Sequence, residues 1–148
     1  MPTSIRNQVL DAVVALLNTG RPGEVPEFRR ERPNPTQQLA AGNVCLAPIP
    51  GPQETSETVP NKRGPLTVRH LLVAVEVWNV GATSVCLDSA LIWITGQLAG
   101  SRLGGLVHWT EERQTQWARA ALDEDYWRAT VVFDVEYQTA RGNLTATA

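Results

Sequence analysis

The chain has 148 residues, of which 43% are hydrophobic and 19% are charged. This length and balance predict a single globular domain over residues 1–148 and exclude disorder throughout. The net charge of −2 is too near neutral for binding nucleic acid by charge alone. No apolar run approaches the roughly 20 residues of a membrane span, and Asp11 interrupts the apolar stretch that a signal peptide needs. We therefore expect a cytosolic start and no membrane partner.

The first part of the chain predicts one helix followed by two short strands. Residues 4–18 place their apolar side chains at helical spacing, and Thr3 or Ser4 can cap the first turn. Residues 24–32 predict a short strand at an edge of the sheet, and residues 43–49 predict a second short strand.

Two segments lack the signals of a packed element. Residues 50–65 contain four prolines, two glycines and a single clearly apolar side chain, Val59. Long segments of this composition are usually functional or disordered, so we expect a long, solvated and mobile loop between two strands. The tail, residues 141–148, is expected to be frayed.

The second part of the chain predicts strands around a second helix. Residues 66–79 alternate strictly on one face and are partly apolar on the other, which indicates a central strand. A helix is expected over about 84–99, then a weaker pair of strands over 106–120 with a turn near Gln114. Residues 126–140 predict a half-buried strand. This order predicts an α+β fold, a mainly antiparallel sheet with two helices packed on one face.

The sequence contains no recognisable catalytic or metal-binding motif. It has no glycine-rich phosphate loop, no nucleophile elbow and no zinc-ligand spacing. His70 and His108 are expected to be partly exposed or hydrogen-bonded, with a catalytic base as the minor interpretation. Cys45 and Cys86 are expected to be reduced and buried. The carboxylate pairs are expected to lie in solvent, so we predict no catalytic, cofactor-binding or metal-binding residue and no cofactor.

Five tryptophans are many for a chain of this length. Trp93 and Trp127 fit positions in the core. One core does not account for all of Trp78, Trp109 and Trp117, and tryptophan is enriched at protein interfaces. We therefore expect some of these three to lie in a subunit interface.

The order of elements resembles a known family. The helix IRNQVLDAVVALLN leads through FRRERPNP to a strand ending in LAPIP, and the long strand RHLLVAVEVWNVG precedes a helix that begins LDSALIWI. The chain closes with DYWRATVVFDVEYQT, whose V-x-Y-x-T ending carries most weight. Over residues 4–140 this layout resembles the tail terminator proteins of long-tailed bacteriophages, also called tail completion or minor tail proteins U.

The resemblance implies a structural role without chemistry. Members of this family look like small α+β subunits that assemble into a hexameric ring. The ring caps the tail tube at its final length, stops further polymerisation, and offers a surface to the neck proteins of the head. DNA passes through the central hole without specific binding. The expected partners are other copies of the chain, the tail tube protein and the head-tail connector. The expected location is the head-proximal end of the tail in the virion, after assembly in the host cytoplasm.

Charged side chains are the candidates for contacts with a neighbouring subunit or the tube. Three arginines lie within four residues, and guanidinium groups can bind carboxylates of an adjacent subunit in a forked geometry. An acidic run near the end of the chain is the candidate partner. A solvated edge strand with weak local ion pairs is the simpler interpretation. The candidate interface residues are Arg29, Arg30, Arg32, Lys62, Arg63, Asp123, Glu124 and Asp125.

Three alternatives stay open. A neck or head-completion protein of the same virus would share a small α+β architecture. A non-viral binding module would be a monomer with one concave apolar pocket. A small enzyme would require His70, His108 or a carboxylate pair to converge in a cleft.

Overall fold

The computed structural model describes residues 3–30, 45–49, 52–80, 85–119, 126–145 and 147. These residues include two α-helices, a short 3₁₀ helix over Leu103–Gly105, and six β-strands. In chain order the helices and strands are α1 (Ile5–Asn18), β1 (Phe28–Arg29), β2 (Cys45–Pro48), β3 (Gln53–Val59), β4 (Leu66–Val80), α2 (Val85–Leu98), β5 (Trp109–Arg119) and β6 (Tyr126–Ala140).

Two long antiparallel strands, β4 and β6, form the centre of the sheet and pair from Leu66↔Ala140 to Val80↔Tyr126. β5 lies antiparallel along the other side of β6. β2 and β3 both pair antiparallel with β4, β2 near its end and β3 near its start, and β1 runs parallel to β2. The predicted α+β fold with a mainly antiparallel sheet is confirmed, and so is the central position of β4.

The core lies between the two helices and one face of the sheet. Strict alternation in β4 and β6 sends every second side chain to this face. α1 and α2 place apolar residues at spacings of three and four, which form one buried stripe on each helix. The fully buried core residues of these elements include Val9, Val13, Leu17, Leu71, Val73, Val75, Val77, Ala90, Ile94, Leu98, Ala129, Val131, Phe133, Val135 and Tyr137.

Local interactions fix the bounds of α1. The side chain of Ser4 accepts a hydrogen bond from the amide of Asn7 at 3.3 Å, as the sequence predicted for the N-cap. At the other end, Asn18 bonds the backbone of Phe28 twice, through its amide nitrogen at 3.0 Å and its carbonyl oxygen at 2.9 Å. α1 is therefore tied to β1 at the point where Phe28 enters the core.

The prediction of a structureless loop over residues 50–65 is wrong for residues 53–59. These residues form β3, which pairs with β4 from Gln53↔Leu72 to Val59↔Leu66. Most β3 side chains are exposed, so no hydrophobic alternation marks the strand, and the backbone ladder along β4 holds it. The connecting turn contains Gly64, whose φ of 114° suits glycine. The mobility predicted for this segment and the fraying predicted for 141–148 stay predictions.

The weaker pair of strands predicted over 106–120 is also wrong. Residues 109–119 form one strand, β5, and no turn occurs near Gln114. Instead the register shifts between Glu112 and Gln114, so that Arg113 is an extra residue in the ladder with β6. A β-bulge of this kind breaks the alternation of side chains, and this break imitates a turn in the sequence.

Candidate assembly interface

The basic residues beside β1 lie at the surface and have local ionic partners. The Arg29 side chain is 70% exposed and donates to Glu27 at 3.1 Å. Arg30 donates to Asp11 of α1 at 3.0 Å. Exposed pairs of this kind are worth about 0–1 kcal/mol, so they leave both guanidinium groups available to a partner. Arg32, the third arginine of the predicted cluster, lies outside the described residues.

Lys62 and Arg63 lie in the exposed turn between β3 and β4. Arg141, which follows β6, lies beside them, because its backbone amide donates to the carbonyl of Pro65 at 3.3 Å. We call Lys62, Arg63 and Arg141 the basic turn. Sequence reasoning missed Arg141, since only the β4–β6 register shows that the end of β6 meets this turn.

The structure does not bring the two predicted basic sites together. The basic turn precedes the start of β4, whereas β1 attaches through β2 beside Trp78 and Asn79 near the end of β4. Twelve residues of extended strand separate Leu66 from Trp78, which corresponds to about 40 Å. The two sites therefore lie at opposite ends of the sheet.

The acidic run Asp123–Glu124–Asp125 lies outside the described residues. The strands on either side of it are described: Arg119 of β5 pairs with Trp127, and Tyr126 of β6 pairs with Val80. β5 thus ends, and β6 begins, at the end of the sheet where β2 pairs with β4.

The sheet face opposite the helices carries a polar cluster around Asp134. The Asp134 side chain is only 4% exposed. One of its oxygens lies 3.0 Å from Nδ1 of His70, and the other accepts from Nε and Nη2 of Arg113 at 3.1 and 2.6 Å. Trp109 meets the His70 ring edge-on, with ring centroids 5.8 Å apart. The cluster thus joins β4, β5 and β6.

The bulge in β5 explains the position of Arg113. Because Arg113 is the extra residue between Glu112 and Gln114, its side chain reaches the Asp134 carboxylate of the neighbouring strand. The hydrogen bond to Asp134 raises the pKa of Arg113 above its ordinary value. From the sequence, Asp134 falls on the wet or partner-covered face of the half-buried strand predicted over residues 126–140. The sequence did not reveal how deeply Asp134 is buried, because a single acid in an alternating strand does not reveal its partners.

A shallow groove of about 520 Å³ lies over the Asp134 cluster. Its lining residues are Thr55, His70, Leu72, Arg113, Gln114, Val132 and Asp134. The prediction of a partly exposed or hydrogen-bonded His70 is confirmed. Histidine bonded to a buried carboxylate is also the arrangement that orients a general base. Here the His70–Asp134 contact joins β4 to β6, and no hydroxyl or thiol of the described residues hydrogen-bonds to His70.

The tryptophans divide differently from the sequence prediction. Trp78 is buried and donates from Nε1 to Glu76 at 3.0 Å, so it is part of the packing within the chain. Trp93 is half-buried and donates to the carbonyl of Leu17 at 2.8 Å, which joins α2 to α1. Trp109 packs against His70 and is also half-buried. The side chains of Trp117 and Trp127, like those of both cysteines, lie outside the description.

A second polar cluster lies where α1 begins. Glu54 of β3, whose side chain is 10% exposed, accepts hydrogen bonds from Arg6 of α1 and from the hydroxyl of Tyr137 of β6. Arg69 of β4 lies 3.7 Å from the same carboxylate. We call these four residues the Glu54 cluster. Burial, followed by the bond to Glu54, raises the pKa of Tyr137 above its ordinary value.

The part of the chain that the structure describes shows neither a metal-binding cluster nor a membrane-spanning helix. No three side chains of His, Cys, Asp or Glu come together there in a group that could hold a metal ion. Within those same residues, neither helix is both long and apolar enough to cross a membrane. His108 is exposed, as predicted, and so are Glu111 and Glu112.

The described residues form a small α+β fold with charged groups at both ends of a long antiparallel sheet. No family model matches the sequence, and no curated protein matches it. Among solved structures, the fold is similar to a chain in the virion of a native gene transfer agent (GTA) particle. The two chains share 17% sequence identity and a TM-score of 0.51, and the match covers 92% of each. At this identity the likeness shows a shared fold.

Proposed function

We propose that this chain is a structural protein of a phage-like virion. The observation that carries the proposal is the shared fold with a chain of a gene transfer agent virion, which extends over 92% of both chains. A match of this extent leaves only about a twelfth of the chain uncovered, so it spans most of the fold. A likeness confined to one supersecondary motif would carry no such weight.

Within that class we propose the role of a tail terminator. Six copies form a ring on the head-proximal end of the tail tube, stop its polymerisation and present a surface to the neck proteins. A closed ring needs two different patches on each subunit, one for each neighbour. The two basic sites at opposite ends of the sheet are far enough apart to contact different partners. The net charge of −2 suits a hole through which DNA slides without being held.

The arginines beside β1 are the proposed contact with a neighbouring subunit or the tube end. Arg29 and Arg30 reach solvent with only weak local partners. The proposed contact also includes Arg32 and the acidic run Asp123–Glu124–Asp125, which are known only from the sequence. The acidic run of one copy would then receive the guanidinium groups of the next.

A tube-growth assay tests this function. Purified tail tube protein of the same virus is allowed to polymerise with and without the chain, and tube lengths and tube ends are examined by electron microscopy. The chain should arrest growth and leave a ring-shaped density at one end of each tube. Tubes that grow equally long without end density contradict the role of terminator, and rings that bind only neck proteins indicate a neck or head-completion protein instead.

Charge reversal then tests the proposed contact. The variant Arg29→Glu/Arg30→Glu should fold normally and cap tubes poorly, and a basic substitution within the acidic run should partly restore capping. The matched control is Arg102→Glu, an exposed arginine away from β1. If the double variant caps tubes as well as the control does, the proposed contact is wrong. The arginines are then solvated side chains at an edge strand with weak local ion pairs.

A further inference from the structure

Within the described part of the chain, the outer edge of β5 is an open edge of the sheet. β5 stands last in the strand order, and among the described residues no strand pairs with its outer side. Residues 111–116 are all exposed. Glu111 lies opposite Asp134 and Glu112 opposite the core residue Phe133, so the two carboxylates lie on opposite faces of the same edge. We call Glu111 and Glu112 the acidic edge.

Within one copy of the chain, the basic turn lies further along the strands of the sheet than the acidic edge does. The β5–β6 ladder starts at Trp109↔Glu136, whereas β4 and β6 continue pairing to Leu66↔Ala140. Six residues of strand, about 20 Å, separate Ala140 from Asp134, the residue opposite Glu111. That is more than twice the screening length of about 8 Å at physiological salt, so the acidic edge does not neutralise the basic turn of the same copy.

The three cations of the basic turn also lack local ionic partners. Lys62, Arg63 and Arg141 are exposed, and none of them forms an ion pair with any other residue that the structure describes. By contrast, Arg29, Arg30 and Arg113 each bond a carboxylate. The basic turn is therefore a cluster of three exposed cations without ion pairs among the described residues, and the acidic edge offers two exposed carboxylates of opposite charge.

We propose that the basic turn of one copy binds the acidic edge of β5 in the next copy. The occupant of the open edge is thus a second copy of this chain, chosen by charge complementarity. Because the two patches differ and lie apart on each subunit, the contact is head-to-tail and can close into a ring. This inference rests on the proposed ring and names the surfaces that build it.

Charge reversal with compensation tests the contact. Assembly of the full chain is followed by sedimentation velocity over a range of concentrations, for wild type, Lys62→Glu/Arg63→Glu, Glu111→Lys/Glu112→Lys, and a one-to-one mixture of the two variants. Each variant alone should require at least about tenfold more protein for half-assembly, and the mixture should assemble better than either. The matched control, Asp88→Lys at an exposed position of α2, should assemble as wild type does.

A cross-linking measurement covers the case in which a charge-reversed variant fails to fold. Arg63→Cys and Glu111→Cys copies are mixed and oxidised, with the unsubstituted chain as the control for its own Cys45 and Cys86. A dimer that joins the two introduced cysteines supports the contact. If wild type forms rings while all variants assemble equally and no such dimer appears, the inference is wrong and the ring stands. If wild type never assembles, alone or on tubes, the proposed function fails as well.

Discussion

From its place in β3, the Glu54 side chain contacts residues of α1, β4 and β6, so replacing it should weaken the fold more than replacing an exposed residue of β3. It accepts from Arg6 and Tyr137 and pairs with Arg69. These donors come from three different elements. Glu54→Ala removes the shared acceptor, so Arg6 and Tyr137 must find water or remain unpaired, while Arg69 keeps its bond to Thr139.

The expected loss of unfolding free energy depends on whether each donor can hydrogen-bond to water instead of Glu54. Arg6 is 40% exposed and regains water, so its share is small. Arg69 is 13% exposed, and Tyr137 is buried, so both lose a partner away from solvent. An unsatisfied buried polar group costs about 1–3 kcal/mol. The variant should therefore lose about 3–5 kcal/mol of unfolding free energy, the range found when one partner of a buried pair is removed.

Urea denaturation followed by tryptophan fluorescence measures this loss. Tyr137→Phe removes one donor and should cost less than Glu54→Ala, about 1–2 kcal/mol. Glu57→Ala is the matched control, an exposed glutamate three residues along the same strand, and should change stability by no more than about 0.5 kcal/mol. If Glu54→Ala and Glu57→Ala unfold at the same urea concentration, the reasoning about the Glu54 cluster is refuted.

Three further changes test other links of the fold. Folding raises the pKa of Tyr137, so the native state keeps this proton at a pH near 10 where the unfolded chain releases it. The free energy of unfolding of wild type should therefore fall as the pH rises above about 10. In urea melts across that range, Tyr137→Phe should lose less stability than wild type. In an absorbance titration, the tyrosine signal that Tyr137→Phe removes should appear above pH 10, and a signal lost at or below pH 10 would contradict this. Trp93→Phe removes the bond to Leu17 and should cost about 1 kcal/mol in thermal melts. Ser4→Ala removes the N-cap of α1 and should lower the stability of the fold by about 1 kcal/mol in melts followed by circular dichroism. An unchanged melt would show that the Ser4 hydrogen bond does not contribute to stability.

The elements with strong periodicity were predictable from the sequence. β4 and β6 alternate over 15 residues each, and α1 repeats at helical spacing, so side-chain burial alone defines them. β3 was not predictable in this way, because Gln53–Val59 is polar on both faces and is held by backbone pairing with β4. The bulge at Arg113 breaks the period of β5 and imitates a turn.

The candidate interface was predictable only as a list of charges. Sequence composition identifies Arg29, Arg30, Lys62 and Arg63 as exposed cations, but their separation along β4 depends on which strands pair. The same limit hides Arg141, which joins the basic turn through the β4–β6 register. The Asp134 and Glu54 clusters combine residues that are up to 131 positions apart in the chain, so no local sequence motif predicts them.

Native mass spectrometry of the purified chain over a range of concentrations, with negative-stain electron microscopy of the same samples, tests the central claim most directly. The account predicts a closed species of six copies, seen as a ring with an open centre, in solution at high concentration or on tail tubes. A chain that stays monomeric at every concentration and forms no ring on tube ends would contradict it.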